Sequence, residues 1–343
     1  MTGRTEILLA QGKSTTAVDD SASTGATAPP LPASLARAWL RGLAADRGLY
    51  APPAIVMRSL RRGRMLLDPA RTRALLGSAS VAAHAATEGG GDPLFWLSSR
   101  HYLARGLGAR ARIAAAACHY LEQDRRFDGA WLRAVNGGGE GLVLWRRPVA
   151  PHDHDIVLRR GRDVADEGAL SLIFRIDGGI HAVLSFSRVS GRVLAVPGGP
   201  ELPESLWFVT RKQQTMERDY QPEFHRAFHH ISAAKLAFVA LVGMLRALGH
   251  DRVAAIGAAG QPSVGPGRAA QFAASYDNFW RDCGGEPMGG NFLLHLPLPH
   301  RPPESVPRSK RRRARLRLDV QQEIEDAAFA VTRQHLAGPV DGA

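Results

Sequence analysis

Five short segments rich in Val, Leu, Ile and Phe follow one another in the middle of the chain, and Gly, Pro or Asp bounds each of them. They lie at residues 141–145, 155–158, 169–176, 181–186 and 192–196. Runs of this length between turn residues are typical of β-strands. Asp177-Gly178-Gly179 separates two of the runs, and glycine supplies the positive φ that a tight hairpin needs. The pattern predicts an antiparallel strand meander.

Helical patterns lie on both sides of this meander. Residues 35–118 have helical periodicity, with Ser34 as a cap and Asp68-Pro69 as a second helix start. Further helices are predicted at 95–107, 110–121, 232–248 (or from Pro222), 268–280 and 310–335, and further strands at 253–256 and 292–296. We therefore predict a mixed α/β (α+β) fold, in which N-terminal helices precede a mostly antiparallel sheet with helices.

The chain divides by composition into a tail and one domain. Residues 1–33 are rich in Ser, Thr, Gly, Ala and Pro, and we expect them to form a disordered tail. The predicted domain covers residues 34–335. Within it we distinguish a helical part at 34–127, a sheet-containing core at 128–300, and a basic segment with the C-terminal helix at 301–335.

Several classes of protein are disfavoured by what the sequence contains. Cys118 and Cys283 are the two cysteines, and they form neither a disulfide framework nor a zinc spacing, so we predict no metal site. The apolar run at 236–248 contains Arg246 and is shorter than the roughly 20 residues of a membrane span. No secretion signal, Walker loop, GxGxxG fingerprint or Ser-His-Asp order stands out. We expect a cytoplasmic or peripherally attached protein.

The excess positive charge is concentrated near the C-terminus. The net charge is +12, and removing seven basic residues between Arg308 and Arg317 would leave +5. Lys310, Arg311, Arg312 and Arg313 are the candidates for contacts with an anionic surface. No aromatic residue interrupts this run, which disfavours single-stranded nucleic acid. An anionic membrane is the preferred partner, and nucleic-acid binding remains a second alternative.

Four groups of motifs resemble the VirK/YbjX family of Gram-negative bacteria, a domain of unknown function, over about residues 35–330. They are His101-Tyr102-Leu103 with Arg112 and His119-Tyr120-Leu121; Glu167-Gly168 with Leu170-Ser171-Leu172 and Leu184-Ser185-Phe186; Tyr276-Asp277-Asn278-Phe279-Trp280 with Gly284-Gly285 and Leu296-Pro297; and Ser309-Lys310-Arg311-Arg312-Arg313. The chain departs from the family's turns at 196–200 and 230–235, which puts any activity carried by those turns in doubt. The resemblance implies an accessory protein of envelope maintenance or virulence, at the inner-membrane face, and no established reaction.

The order of the predicted elements also resembles the acyl-CoA N-acyltransferase architecture. In this order, the strand meander is followed by a helix, a strand, a second helix and a last strand. This resemblance implies a loop before the central helix that binds pyrophosphate with backbone N–H groups. The corresponding loop is at 228–235, without a glycine-rich phosphate sequence, and Lys235 is its candidate phosphate contact. Arg211 and Lys212 are further candidate ligand contacts. The alternative function is therefore acyl transfer from an acyl-CoA or acyl-carrier donor.

The candidate catalytic residues are His229, His230, Tyr276 and Asp277. Histidine near the helix start could act as a base, because it titrates near neutrality. Tyr276 and Trp280 lie four residues apart on one helix face, where a core anchor is favoured over a ligand stacker. His225 and His229 are one turn apart, but a polar helix face is favoured over a metal pair. His152-Asp153-His154-Asp155 is interpreted as a solvated loop rather than a metal site.

Overall fold

The structure is a computed structural model that describes residues 31–47, 49–86, 91–161, 167–215, 221–264, 267 and 269–337. In these ranges, seven α-helices precede the sheet: α1 Leu31–Asp46, α2 Pro52–Arg62, α3 Pro69–Leu76, α4 Ala79–Ala85, α5 Phe95–Ser98, α6 Ala109–Arg126 and α7 Gly129–Asn136. The predicted start at Asp68 is confirmed, because its carboxylate accepts the Arg71 N–H and Pro69 occupies the first turn of α3. Residues 1–30 of the predicted tail lie outside the described residues.

The described residues form one open sheet of eight strands: β1 Leu142–Val149, β2 His152–Arg160, β3 Leu170–Ile176, β4 Gly179–Ser190, β5 Ser205–Gln214, β6 Arg252–Ile256, β7 Glu286–Met288 and β8 Asn291–His295. Their order is β1-β2-β3-β4-β5-β6-β8-β7. Strands β5 and β6 pair in parallel, and the other neighbours pair antiparallel. The predicted mixed, mostly antiparallel fold is thus confirmed.

Among the residues described after β4 are five further α-helices: the short α8 Gly191–Leu194, α9 Gln221–Ala227, α10 Ala233–Ala247, α11 Ala269–Asp282 and α12 Arg308–Gln334. Ser232 caps α10 by accepting the Lys235 N–H, as one of the two predicted starts requires. Helix α10 connects β5 to β6 and packs against α12. Among the described residues, no helix combines the length and the apolar composition needed to cross a bilayer.

Apolar side chains cover both faces of the sheet. Trp207 and Val209 of β5 belong to the core cluster shared with α10 and α12, whereas Leu206 and Phe208 belong to the cluster shared with the N-terminal helices. Successive side chains of a strand point to opposite faces, so one strand contributes to both clusters. The sheet is therefore a buried layer between two groups of helices.

Three local predictions were wrong. Residues 192–196 were expected to form a strand, but α8 and a loop lie there. The helix expected at 95–107 ends at Ser98, because Leu103 has φ +68° and its N–H donates to the Glu167 carbonyl. Residues 152–155 begin β2 instead of forming a loop, and the Asp155 carboxylate pairs with Arg175 at 2.7 Å. The second and third differences reflect contacts with residues distant in sequence.

Candidate functional site

The carboxyl ends of the two parallel strands diverge. Only residues 207–209 of β5 pair with β6, at positions 253–255. Strand β5 continues to Gln214 beside β4, while the chain leaves β6 at Ile256 and turns through a 3-10 helix at Ala258–Gly260. Ligands of open α/β sheets bind outside the carboxyl ends of parallel strands, where the connections separate. A cavity of about 570 Å³ opens at this point.

We call this cavity the polar pocket, after the side chains Glu167, Arg211, Lys212, Ser263 and Tyr276 that line it. The buried Glu167 carboxylate accepts a hydrogen bond from Ser263 Oγ at 2.7 Å and pairs with Arg211 Nη1 at 3.2 Å. Burial raises the pKa of Glu167, although the Arg211 charge and the Ser263 hydrogen bond act to lower it. A carboxylate with a raised pKa is suited to accept and release protons nearer neutral pH.

Tyr276 lies beside this carboxylate. Its hydroxyl accepts the backbone N–H of Lys212 at 3.2 Å. Burial raises the pKa of Tyr276 to about 12, and the nearby Glu167 charge contributes in the same direction. The phenol therefore keeps its proton at neutral pH. Lys212 Nζ donates to the Ser275 carbonyl at 2.9 Å, and burial lowers the pKa of this amine.

A second cavity, of about 770 Å³, lies where the first turns of α10 and α12 meet the end of α11. We call it the cationic groove, because it is lined by six basic side chains and one carboxylate, that of Asp282. The six are Lys235, Arg281, Arg301, Lys310, Arg313 and Arg317. Clefts lined by one sign of charge concentrate ligands of the opposite sign. The groove is therefore suited to a ligand with several negative charges.

Helix α11 connects the polar pocket with the cationic groove. Ser275 and Tyr276 line the pocket, whereas Arg281 and Asp282 line the groove. Tyr276 and Arg281 are five residues apart, a rise of about 7.5 Å along a helix. Cys283 directly follows α11, and its Sγ lies 3.2 Å from Lys235 Nζ of the groove. The two cavities therefore lie at neighbouring turns of one helix.

The first turn of α10 does not offer the predicted backbone phosphate loop. The Lys235 N–H donates to Ser232 Oγ at 3.2 Å, and the Ala234 N–H donates to Gln214 Oε1 at 3.3 Å. These main-chain donors already have protein acceptors, and Phe228 of the same loop is buried in the core. Any phosphate in the groove would therefore contact side chains, including Lys235.

His229 and His230 lie outside the polar pocket. Both have positive φ, +51° and +64°, in the turn between α9 and α10. Their carbonyl oxygens accept hydrogen bonds from Arg317 of α12, at 2.7 and 3.3 Å. Within the described ranges, no hydrogen bond or ion pair joins either imidazole to Tyr276. The turn therefore serves to attach α12.

Asp277 and Trp280 hold the turn that follows β6. Asp277 Oδ1 accepts the Ala258 N–H at 2.9 Å, and Trp280 Nε1 donates to the Ile256 carbonyl at 2.9 Å. Trp280 is fully buried in the core. Both side chains thus fix the position at which the chain leaves β6, whereas Tyr276, their neighbour on α11, lines the pocket.

The basic run at the start of α12 divides between two environments. Lys310 and Arg313 line the cationic groove. Arg311 donates to the carbonyls of Val306 and Glu304, both at 3.2 Å, and Arg312 is exposed. In the part of the chain that the structure describes, no group of three His, Cys, Asp or Glu side chains is arranged to hold a metal ion.

Sequence reasoning did not single out Glu167 as a chemical group. It was quoted only as part of the Glu167-Gly168 motif, because its partners are remote in the chain. Arg211 lies 44 residues away and Ser263 lies 96 residues away. A buried acid is recognisable only after the fold brings these partners together.

Comparison with known proteins identifies a family and no closer relative. A family model described as "Protein of unknown function (DUF535)" matches residues 94–329, more than half of the chain. No curated protein matches, and no solved structure matches. The chain therefore belongs to this family, which is the VirK/YbjX family.

Proposed function

We propose that this VirK/YbjX-family protein is an acyltransferase-like enzyme that moves an acyl group from a phosphate-bearing thioester donor to an amine. The donor would be an acyl-CoA or an acyl-carrier. The observation that carries the proposal is the polar pocket between the diverging ends of β5 and β6, with the cationic groove one to two turns away along α11. The element order around it supports a core like that of the acyl-CoA N-acyltransferases.

The cationic groove would bind the phosphates of the donor. Lys235, Lys310 and Arg313 supply positive charge from two helices, and charge-assisted hydrogen bonds to phosphate are about twice as strong as neutral ones. Arg211 and Lys212 would contact the part of the donor that reaches the polar pocket. The thioester would then lie near Glu167 and Tyr276.

Two side chains of the pocket would move protons during transfer. The amine nitrogen forms a bond to the acyl carbon while the carbon–sulfur bond breaks. Glu167 would accept the proton that the amine loses, which its raised pKa favours. Tyr276 would donate its proton to the departing sulfur, and its contact with the Lys212 N–H holds the phenol in position.

Calorimetric titration with coenzyme A tests the binding step. The Lys235→Gln/Arg313→Gln variant is expected to bind at least about tenfold more weakly, because each lost charged hydrogen bond is worth about 1.5–3 kcal/mol. Arg125→Gln is the matched control, since Arg125 is an exposed arginine of α6. The absence of coenzyme A binding, or equal binding by the parent and the groove variant, would contradict the proposal.

Release of free thiol from acetyl-CoA in the presence of simple amines tests the chemical step. Glu167→Gln is expected to slow this reaction by about 10²–10⁴-fold, the usual contribution of a general base, while coenzyme A affinity stays unchanged. Glu201→Gln, at an exposed glutamate, is the control. An unchanged rate in Glu167→Gln would remove the carboxylate from the mechanism.

A second candidate is an accessory role in envelope maintenance at an anionic membrane face, through the basic start of α12. Lys310, Arg311, Arg312 and Arg313 are all exposed, and the described residues give this segment one ion pair, Arg315–Glu304 at 3.5 Å. Replacing Arg311, Arg312 and Arg313 with glutamine should abolish binding to anionic vesicles while the fold is retained. Salt-sensitive binding to duplex nucleic acid without vesicle binding would favour the nucleic-acid alternative instead.

A further inference from the structure

Exposed apolar side chains are concentrated on the N-terminal helices. Nine large hydrophobic residues of the described ranges are exposed, and eight of them lie between residues 40 and 67. The eight are Leu40, Leu49, Tyr50, Val56, Met57, Leu60, Leu66 and Leu67. The ninth, Ile180, is on the β3–β4 hairpin. Such a concentration of apolar surface marks an interaction site.

Helix α2 is oriented with its charges inward and its apolar residues outward. Arg58 and Arg62 are buried, where they pair with Asp46 and Asp92. Val56 and Leu60 are four residues apart on one helix face, and they are 57% and 65% exposed. The buried ion pairs fix this orientation of α2, and the fold therefore holds the apolar side chains at the surface.

The charge around these apolar residues is mainly positive, and the partly exposed Asp68 that follows Leu67 is paired with Arg71 at 2.7 Å. Arg37, Arg41, Arg47 and Arg64 are exposed, and Arg61 is half-buried. Asp46 is the one acid between residues 31 and 67, and it is fully buried. A second copy of the chain would bring like charges together on this surface, whereas an anionic partner would be attracted to it.

We propose that this basic apolar face, formed by α1, α2 and the 3-10 helix at Gly63–Leu67, docks on an anionic lipid surface. Amphipathic helices with apolar residues on one side and arginines beside them lie in the membrane interface. Leu49, Val56 and Leu60 would enter the boundary between headgroups and acyl chains. The arginines would contact lipid phosphates, at about 1 kcal/mol for each basic residue near the surface.

The proposed face lies beside the polar pocket. His101 lines a cavity of about 550 Å³ together with Tyr50, Met57 and Arg61 of this face. Two residues beyond His101, the Leu103 N–H donates to the carbonyl of Glu167, a residue of the polar pocket, at 2.9 Å. Docking would therefore bring the pocket close to the lipid surface. The docking proposal itself is independent of acyl transfer.

Flotation of the full-length protein with vesicles tests the proposal. The parent should bind vesicles of phosphatidylcholine with phosphatidylglycerol, and bind phosphatidylcholine alone more weakly. The Val56→Gln/Leu60→Gln variant should bind the mixed vesicles at least about tenfold more weakly, which corresponds to about 1.4 kcal/mol. Ile180→Gln is the matched control, because it removes an exposed apolar residue elsewhere. Near-ultraviolet circular dichroism checks that all variants keep the native fold.

Three outcomes would overturn the proposal. In the first, the parent does not float with the mixed vesicles. In the second, the Val56→Gln/Leu60→Gln variant floats as well as the parent, which would assign the binding to the basic start of α12. In the third, light scattering shows a dimer of the parent that becomes a monomer in the variant, which would make the face an interface between copies.

Discussion

Replacing Arg62 with methionine should destabilise the protein by about 3–5 kcal/mol, because it removes the buried cation between two buried carboxylates. Arg62 Nη2 lies 2.7 Å from Asp46 Oδ2 and 2.7 Å from Asp92 Oδ2, and all three side chains are fully shielded from solvent. Arg58 contacts the same acids at 2.9 and 3.6 Å. In the variant, the guanidinium of Arg58 alone would face the two carboxylates of Asp46 and Asp92.

The local packing leaves no room to relax around this network. A Cβ at Gly42 would clash with the Arg62 side chain and would lie 2.8 Å from Asp92 Oδ1. Asp92 also accepts hydrogen bonds from Ser98 Oγ at 2.5 Å and from the Leu94 N–H at 3.0 Å. These contacts join α2 to the segment that begins α5. A loss of 3–5 kcal/mol is a large part of the roughly 5–15 kcal/mol that stabilises a typical domain.

The pH dependence gives a second measurement of the same network. Burial raises the pKa of Asp92, but the hydrogen bond and charge of Arg62 outweigh it, so the net shift is downward. The Asp92 carboxylate therefore stabilises the parent fully above about pH 3.8, its pKa in the unfolded chain. This stabilisation is lost as the pH falls below that value. Without Arg62, burial dominates and the carboxylate pKa rises. The Arg62→Met variant should thus become more stable as the pH falls from 7. The difference in unfolding free energy between the parent and this variant should therefore become smaller.

Urea unfolding followed by far-ultraviolet circular dichroism, at pH 7 and again near pH 5, checks both expectations. Arg64→Met is the matched control, because Arg64 is exposed on the same segment. A stability of Arg62→Met within about 0.5 kcal/mol of the parent, the range of ordinary surface substitutions, would refute the reasoning. A deficit that widens as the pH falls would refute the assigned charge states.

Two further predictions concern buried groups. Trp280→Ala should cost about 3–5 kcal/mol, whereas Asp277→Asn should be milder because an amide oxygen can still accept the Ala258 N–H; thermal unfolding of the two variants measures the contrast. Burial and the Arg188 charge lower the pKa of His119 to about 3, so this one group should cost the parent up to about 1.4 kcal/mol of stability per pH unit as the pH falls below 6.5. His119→Asn should flatten this slope, and an unchanged slope in urea unfolding would contradict the assignment.

Elements with local signals were predictable from the sequence. The Ser232 cap, the Asp68-Pro69 start and the hairpin at residues 177–179 depend on neighbouring residues, and the structure contains all three. Strand β5 was not predicted, although residues 206–209 are apolar; its second half reads Arg211-Lys212-Gln213-Gln214, which is polar. It is a strand because it pairs along its length with β4, and its polar end lines the pocket. The polar end of β5, which departs from the apolar pattern of the other strands, is therefore part of the candidate site.

The candidate site was predictable only in part, because it also depends on contacts between residues distant in sequence. Tyr276, Arg211 and Lys212 were singled out, and the structure brings them together. His229 and His230 were chosen because an imidazole can act as a base. Their position depends on a backbone turn, and the amino-acid composition does not reveal that turn. Their positive φ values direct the carbonyls to Arg317. Long-range contacts of this kind leave no periodic signal in the sequence.

The two turns in which the chain departs from its family have different relations to the proposed site. Val196 of the first turn packs with the core cluster beneath the N-terminal helices, and a Cβ at Gly289 beyond β7 would clash with it. The second turn, at 230–235, ends on Lys235 in the cationic groove. A change in the first turn therefore alters packing, whereas a change in the second alters the groove that we propose to bind the donor phosphates. Since Glu167 and Tyr276 lie on other elements, the proposal predicts that the departure at 230–235 affects donor affinity and leaves the proposed proton-transfer groups in place.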